Sequence, residues 1–353
     1  MSRRPLLAMV GGFLGAGKTS LILAAAQKLQ RRGLRVAAIL NDQGEDLVDT
    51  QLAAQHGVPA DQVTGGCFCC KFGDLVAAAE RLDVHQPDVI FAEAVGSCAD
   101  IVATTLRPLL RDYGDRFRLA PFTVLVDPLM AEALLADEDM FFLWKNQLDE
   151  ADLVWCAKDD LVTSYSGNMP RLSARSGEGV DQWLEQVMGE GAAVDANVGA
   201  KPLDLDYVRY ARAEAALAWL NCRVIVRPHV ACSPSMLVGP LLDGLDAALT
   251  RAGARIVHLK VMDQCETGYV KAAQCANGQQ PEVEGVLDAS PAAEHEVLVN
   301  LRAVGEPEVL RAIVQEGFAA LAAAHEAVIE WRLLQCFRPS PPVPWVTSLH
   351  RND

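Results

Sequence analysis

Two short stretches of this 353-residue chain carry side chains whose types and spacing can do chemistry. The first is Gly12-Phe13-Leu14-Gly15-Ala16-Gly17-Lys18-Thr19, directly behind the apolar run Pro5–Val10. It fits the phosphate-binding pattern GxxxxGK[ST] in the required order of strand, loop and helix. The glycines let successive backbone N–H groups turn toward one anion. Lys18 can reach the outer phosphates and Thr19 can offer its hydroxyl to Mg²⁺. The second stretch is Gly65-Gly66-Cys67-Phe68-Cys69-Cys70, with three thiols inside four residues. A turn at the glycines would point Cys67 and Cys69 to one side, with Cys70 completing a three-thiolate face. Zn²⁺ takes four ligands in a tetrahedral array, so a fourth position stays open for water, a carboxylate or a recipient protein. That arrangement suits transfer better than storage. A redox or disulfide site and a buried apolar turn are the other readings of the same residues.

These loops need elements to hold them. Strand-like runs rich in Val, Ile and Leu occur at Leu6–Val10, Leu34–Leu40, Asp88–Glu93, Phe122–Val126, Leu153–Ala157 and Arg171–Ser173. Helical stretches lie between them: Lys18–Arg32 with Gly33 past its end, Asp74–Leu82, Ala99–Tyr113 and Gly179–Met188. The alternation predicts an α/β fold with a mostly parallel, doubly wound sheet covered on both faces. Ligands of such sheets bind beyond the carboxyl ends of the strands, where the phosphate loop sits. The first domain is expected over 1–190 and a linker rich in small residues over 191–204. A second, smaller α+β domain is expected over 205–353. In it, strands are expected at Arg223–Val226, Arg255–Val261, Tyr269–Cys275 and Glu296–Leu301. Helices are expected at Ser235–Arg251 and Pro307–Trp331, and an extended proline-rich tail at Pro339–Pro344.

The composition narrows the class. At 51% hydrophobic and 22% charged residues, the chain can build a sizeable core. A net charge of −15 argues against nucleic acid and anionic membrane as partners. No apolar run reaches the roughly 20 residues of a membrane span. The opening apolar run flows into the phosphate loop, so it does not read as a cleavable signal, and a cytoplasmic protein with mostly reduced cysteines is expected.

The motifs together resemble the CobW-type branch of the P-loop GTPases, relatives of the hydrogenase and urease nickel chaperones. The resemblance covers the first 190 residues. It rests on GFLGAGKTS from Gly12 to Ser20, Asn41-Asp42-Gln43-Gly44-Glu45 and Gly65–Cys70. It continues through Glu93-Ala94-Val95-Gly96, Asn146-Gln147-Leu148, Ala151-Asp152 and Ser173-Ala174. The family implies GTP hydrolysis coupled to delivery of a metal ion or metallocofactor to a client protein. It assigns the nucleotide to Gly12, Gly15, Ala16, Gly17, Lys18, Thr19, Ser20, Gly96, Lys158, Asp160, Ser173 and Ala174. Hydrolysis would rest on Lys18, Thr19, Glu93 and Asp42. Glu93 ends an apolar strand and can order water around Mg²⁺ bound by Thr19, and Gly96 can bring its N–H to a terminal phosphate. Asp42 and Glu45 are expected at Mg²⁺, at the transported metal, or as ordinary loop acids. The family's Asn-Lys-x-Asp base-recognition sequence is Ala157-Lys158-Asp159-Asp160 here. Lys158 and Asp160 are retained and the bracing Asn is missing, so guanine is favoured with looser selectivity, ATP being the alternative.

The expected protein is a GTP-hydrolysing metallochaperone or cofactor-insertion factor with Cys67, Cys69 and Cys70 as ligands of a cargo Zn²⁺, Co²⁺ or Ni²⁺. A GTPase assembly factor for a corrinoid or other metal-dependent enzyme is one alternative, and a P-loop ATPase or small-molecule kinase another. Intrinsic turnover should be slow, since no arginine finger or catalytic glutamine follows Gly96. The resemblance also allows a homodimer. Cys222, Cys232, Cys265, Cys275 and Cys336 are scattered over apolar segments and read as small hydrophobes.

Overall fold

In the computed structural model, residues 4–44, 48–162, 168–189 and 198–345 are described. Glu45 and half of the expected linker lie outside them. So does part of the stretch between Asp160 and Ser173. The chain divides into two compact units. The first comprises Met1–Gln43, Asp49–Glu214 and Pro341–Asp353. The second comprises Gly44–Val48 and Ala215–Ser340.

The first unit is the parallel sheet the apolar runs require. Its strands are β1 (Leu6–Gly12), β2 (Val36–Asn41), β3 (Ala60–Val63), β4 (Val89–Glu93), β5 (Arg118–Leu119), β6 (Thr123–Val126) and β7 (Leu153–Cys156). The order is β3-β2-β4-β1-β6-β7, with β5 also paired to β1, and every pairing is parallel. Strands β1, β2 and β4 are buried along their whole length, as expected of strands covered on both faces. The covering helices include α1 (Lys18–Arg31), α2 (Val48–Gln55), α3 (Phe72–Leu82), α4 (Arg107–Tyr113), α5 (Ala131–Leu135), α6 (Glu138–Glu150), α7 (Val180–Met188) and α8 (Tyr207–Ala215).

Several expectations are corrected here. Arg171–Ser173 is not a strand, because only a single bridge joins Arg171 to Cys156. Ala99–Tyr113 is not one α-helix, since a π-helical stretch at Val102–Leu106 precedes α4. β3 was missed because Ala60-Asp61-Gln62-Val63 lacks the Val/Ile density of its neighbours. The units are not contiguous in sequence. Residues 205–214 cluster with the first unit, where Tyr210 and Glu214 are buried.

The second unit is a six-stranded antiparallel sheet with two helices. Its strands are β8 (Ala218–Arg227), β9 (Arg255–Cys265), β10 (Gly268–Gln274), β11 (Glu282–Gly285), β12 (His295–Val304) and β13 (Val328–Phe337). They run in the order β11-β10-β9-β12-β8-β13. Helices α9 (Ser235–Arg251) and α10 (Pro307–His325) bury Leu237, Leu241, Leu245, Leu310, Val314 and Phe318 in one cluster with Leu220, Val224, Leu259, Val299 and Leu301 of the sheet. Cys222 lies in this cluster as a small hydrophobe, and burial pushes its thiol far above the ordinary range. The expected helix Pro307–Trp331 ends six residues early. Glu326 takes a left-handed φ of 46° that stops α10, and Trp331 lies on β13, edge-on to the Phe318 ring at 5.1 Å. The alanine-rich end of α10 hid that break.

Phe318→Ala should lower the stability of this unit by about 3–5 kcal/mol, read as a lower midpoint in chemical denaturation.

Candidate nucleotide and metal site

The phosphate loop follows from its glycines. Gly12 has φ of 129°, and a Cβ there would lie 2.6 Å from the Leu125 carbonyl, so no other residue fits without distortion. Gly17 caps α1 in the left-handed region without a side-chain cap, and the first turn of the helix has no acidic residue. The first turn of α1 thus sets the positive end of the helix against no acidic side chain, an arrangement suited to an anion. Lys18 Nζ donates to the carbonyls of Gly12 at 2.9 Å and Phe13 at 3.2 Å and lies 4.0 Å from Glu93 Oε1. Thr19 Oγ1 donates to Glu93 Oε2 at 2.8 Å. A hydroxyl and a carboxylate converging beside a phosphate loop are hard oxygen donors suited to Mg²⁺. Thr19 and Glu93 are the residues that would hold it, Glu93 through water. The ion would supply charge neutralisation for the phosphates.

Strand register links this corner to the cysteines. Glu93 lies opposite Val10 on β1 and opposite Leu40 on β2. The next residue, Asn41, is buried and clamps the thiol loop. Its Nδ2 donates to Val63 O at 2.9 Å and Gly66 O at 2.7 Å, and its Oδ1 accepts from the Phe68 N–H at 2.9 Å. The loop closes on itself, with the N–H groups of Cys70 and Lys71 donating to Cys67 O. Cys67 and Cys69 are joined as a disulfide, and Cys70 Sγ lies 3.6 Å from the first sulfur and 3.7 Å from the second. A tetrahedral Zn²⁺ with Zn–S bonds of about 2.3 Å separates its sulfurs by about 3.8 Å. The two distances from Cys70 match such an edge, and reduction of the disulfide would free the third. Among the described residues this is the one group of three His, Cys, Asp or Glu side chains whose ligand atoms gather closely enough to share an ion. Burial, and after it the nearby Glu214 carboxylate, push the Cys70 thiol up, while a Val343 N–H and Lys71 pull it down.

The segment after β4 is held by residues outside Glu93–Gly96. A Cβ on Gly96 would lie 2.9 Å from Leu14 N, so glycine allows the two loops to touch. Gln147 Nε2 donates to the carbonyls of Gly96 and Cys98, both at 2.9 Å. Ser97 Oγ donates to Glu214 Oε1 at 2.7 Å, and Tyr210 also hydrogen-bonds this carboxyl. Burial raises the Glu214 carboxyl to about 7 against the pull of both bonds. Sequence reasoning had no signal for Glu214, which lies more than a hundred residues from its partner.

Toward the base end, Lys158 has a left-handed φ of 56° and pairs with Asp127 at 3.0 Å. Asp160 is exposed on a 3₁₀ turn. Ser173 is buried, and its hydroxyl accepts from the Ser176 N–H; Ala174 beside it is half-buried. Beside Lys158, Asp159 forms an ion pair with Arg171 and its N–H donates to Leu172 O. Ser20, in the first turn of α1, is exposed. Asp42 N–H donates to Val63 O, so the residue after Asn41 stays tied to β3. Among the described residues no helix is long and apolar enough to cross a membrane.

Two measurements check these contacts. Asn41→Ala should loosen the Gly65–Cys70 loop and cost about 1–3 kcal/mol through the orphaned buried carbonyls and N–H, seen as faster amide exchange at Phe68. Glu214 has a folded-state pKa above its unfolded value. Its contribution is therefore fully present below about pH 4.5 and is lost as pH rises through about 7. At about 1.4 kcal/mol per pH decade the loss approaches about 3 kcal/mol. Denaturation at pH 5 and pH 8 should show that fall in the native protein and not in Glu214→Gln.

Comparison with known proteins agrees with this geometry. The family described as "CobW/HypB/UreG, nucleotide-binding domain" matches residues 6–178. The zinc chaperone YjiA of Escherichia coli is 28% identical over 178 residues, covering 48% of this chain and 54% of YjiA. The hydrogenase maturation factor HypB of Cupriavidus necator is 27% identical over 264 residues, covering 61% of this chain and 70% of HypB. The alignment thus spans about half the length of YjiA. Among solved structures, a Zn(II)-bound YjiA GTPase from E. coli aligns with 90% of this chain and 99% of that one, at 15% identity and a TM-score of 0.32. HypB from Helicobacter pylori in complex with nickel aligns with 52% and 84%, at 16% identity and a TM-score of 0.36. Residues 6–178, which build the parallel sheet, the phosphate loop and the thiol loop, match the CobW/HypB/UreG nucleotide-binding domain.

Proposed function

We propose that this protein is a GTP-hydrolysing metallochaperone that carries Zn²⁺, Co²⁺ or Ni²⁺ on Cys67, Cys69 and Cys70 and hands it to a metal-dependent client protein under nucleotide control. The observation that carries the reading is the Asn41 clamp. The thiol loop hangs from the residue that follows Leu40, and Leu40 is in register with Glu93, the carboxylate on Thr19. A nucleotide that draws Thr19 and Glu93 toward Mg²⁺ would pull on the strands that hold the thiols. Lys18 would leave the loop carbonyls for the outer phosphates, and the Gly96 N–H would meet the terminal one. Lys158 and Asp160 would read guanine, with the Asp159–Arg171 pair standing in for the family's Asn.

The energetics call for a recipient. Shifting a two-state equilibrium from mostly one form to mostly the other takes roughly 5.5 kcal/mol of differential affinity. Structural thiolate zinc sites can be worth about 10–16 kcal/mol. GTP alone would weaken such a site without emptying it. The recipient's own ligands would take the cargo through the open fourth position.

The Cys67–Cys69 disulfide favours a second reading, in which oxidation blocks two of the three ligands and the loop senses redox state. Both readings are tested by titrating the fully reduced protein with GTP and with ATP, with and without one equivalent of Zn²⁺. GTP should bind more tightly than ATP, and zinc should change the GTP affinity by the same factor that GTP changes the zinc affinity. Cys67→Ser should abolish that mutual effect. Equal affinities for the two nucleotides would remove the guanine assignment. Thiol-dependent zinc binding that ignores nucleotide would remove the coupling. No zinc binding in the reduced protein would leave the redox reading.

A further inference from the structure

The proline-rich tail returns to the first unit and lies on the thiol loop. Trp345 N–H donates to Cys69 O at 2.9 Å, and Val343 N–H donates to the Cys70 sulfur. The Trp345 ring stacks on Phe72, the first residue of α3, at 5.1 Å and 17°. The tail reads Pro341-Pro342-Val343-Pro344-Trp345. In extended chain, N–H groups two residues apart face the same side. Val343 and Trp345 spend both of theirs on the loop. The residues beside them, Pro342 and Pro344, have no N–H to leave facing water. Proline also holds the segment extended in advance, so little conformational entropy is lost on docking. The side chains of Val343 and Trp345 are 75% and 60% exposed. What the tail gives the loop is therefore its main chain and one ring face.

We propose that residues 341–345 are an outer brace of the metal loop, which docks on Cys69 and Cys70 through two main-chain N–H groups and slows release of the thiolate-bound metal. This rests on reading the three cysteines as metal ligands. An N–H that donates to a metal thiolate spreads its charge and fixes its direction, and losing such a partner costs about 10–100-fold in metal affinity. Val343 and Trp345 are thus positioning residues that act through the sulfurs. A recipient that strips the brace would gain access to the loop and loosen its hold together.

The test separates main chain from side chain. Val343→Pro removes one N–H and keeps an extended backbone, whereas Val343→Ala keeps the N–H and loses only exposed bulk. Zinc transfer from the reduced protein to a chromophoric chelator should quicken about tenfold or more in Val343→Pro, stay near the native rate in Val343→Ala, and quicken in Trp345→Ala. GTP affinity should be the same in all three. Equal release rates for Val343→Pro and Val343→Ala would overturn the proposal. Hydrogen exchange of the reduced, metal-free protein gives a readout that needs no metal. The tail has two exchangeable amides, at 343 and 345, and both should be protected, with Cys70→Ala releasing the first and sparing the second. Free-chain exchange at both would overturn the brace even if the loop binds zinc. Protected amides in a protein that binds no zinc would keep the docking and remove the cargo reading.

Discussion

The side-chain amide of Asn41 spends both its N–H donors and one oxygen lone pair on one task. It ends a fully buried strand and holds the carbonyls of Val63 and Gly66 and the N–H of Phe68. The loop is anchored twice, by these bonds to its backbone and by the burial of Phe68, Cys67 and Cys69, and together they set where the sulfurs stand. The low dielectric of the interior makes them strong and makes any one left unmade expensive. The thiol loop consequently shares the rigidity of the sheet.

The neighbouring strand supplies the opposite chemistry. Around Thr19 and Glu93 the donors are hard oxygens, and the unopposed first turn of α1 adds positive potential. Around Cys67, Cys69 and Cys70 they are soft, polarisable sulfurs. Each corner prefers a class of ion that the other disfavours. A hard cation with polyphosphate and a soft cation can therefore reside on one sheet without exchanging places. The anchors of the segment after β4, Gln147 and Glu214, come from distant parts of the chain and tie Gly96 and Ser97 to buried positions.

Much of this was legible in the residues because the phosphate loop and the CxCC turn are local. Their backbone demands appear as glycines, and their chemistry as adjacent Lys, Thr and Cys. The buried strands β1, β2 and β4 announced themselves by composition. What could not be read were partners chosen at long range. Glu214 meets Ser97, Asp159 meets Arg171, and Trp345 meets Cys69, pairs with no periodicity to reveal them. Short or mixed segments misled in the other direction. Arg171–Ser173, a single leucine between arginine and serine, makes only one bridge, and the alanine-rich end of α10 gave no sign of the left-handed stop at Glu326.

Strand β2 has small or branched side chains, Ala37, Ala38 and Ile39, packed without measurable exposure on either face. It has no slack with which to absorb an added methyl group. Sequence drift at these silent interior positions would surface as faults in phosphate handling and in thiol placement together, although none of the three is a candidate site residue. Variants from a population that lose both traits at once would thus map to the middle of the sheet and not to either rim.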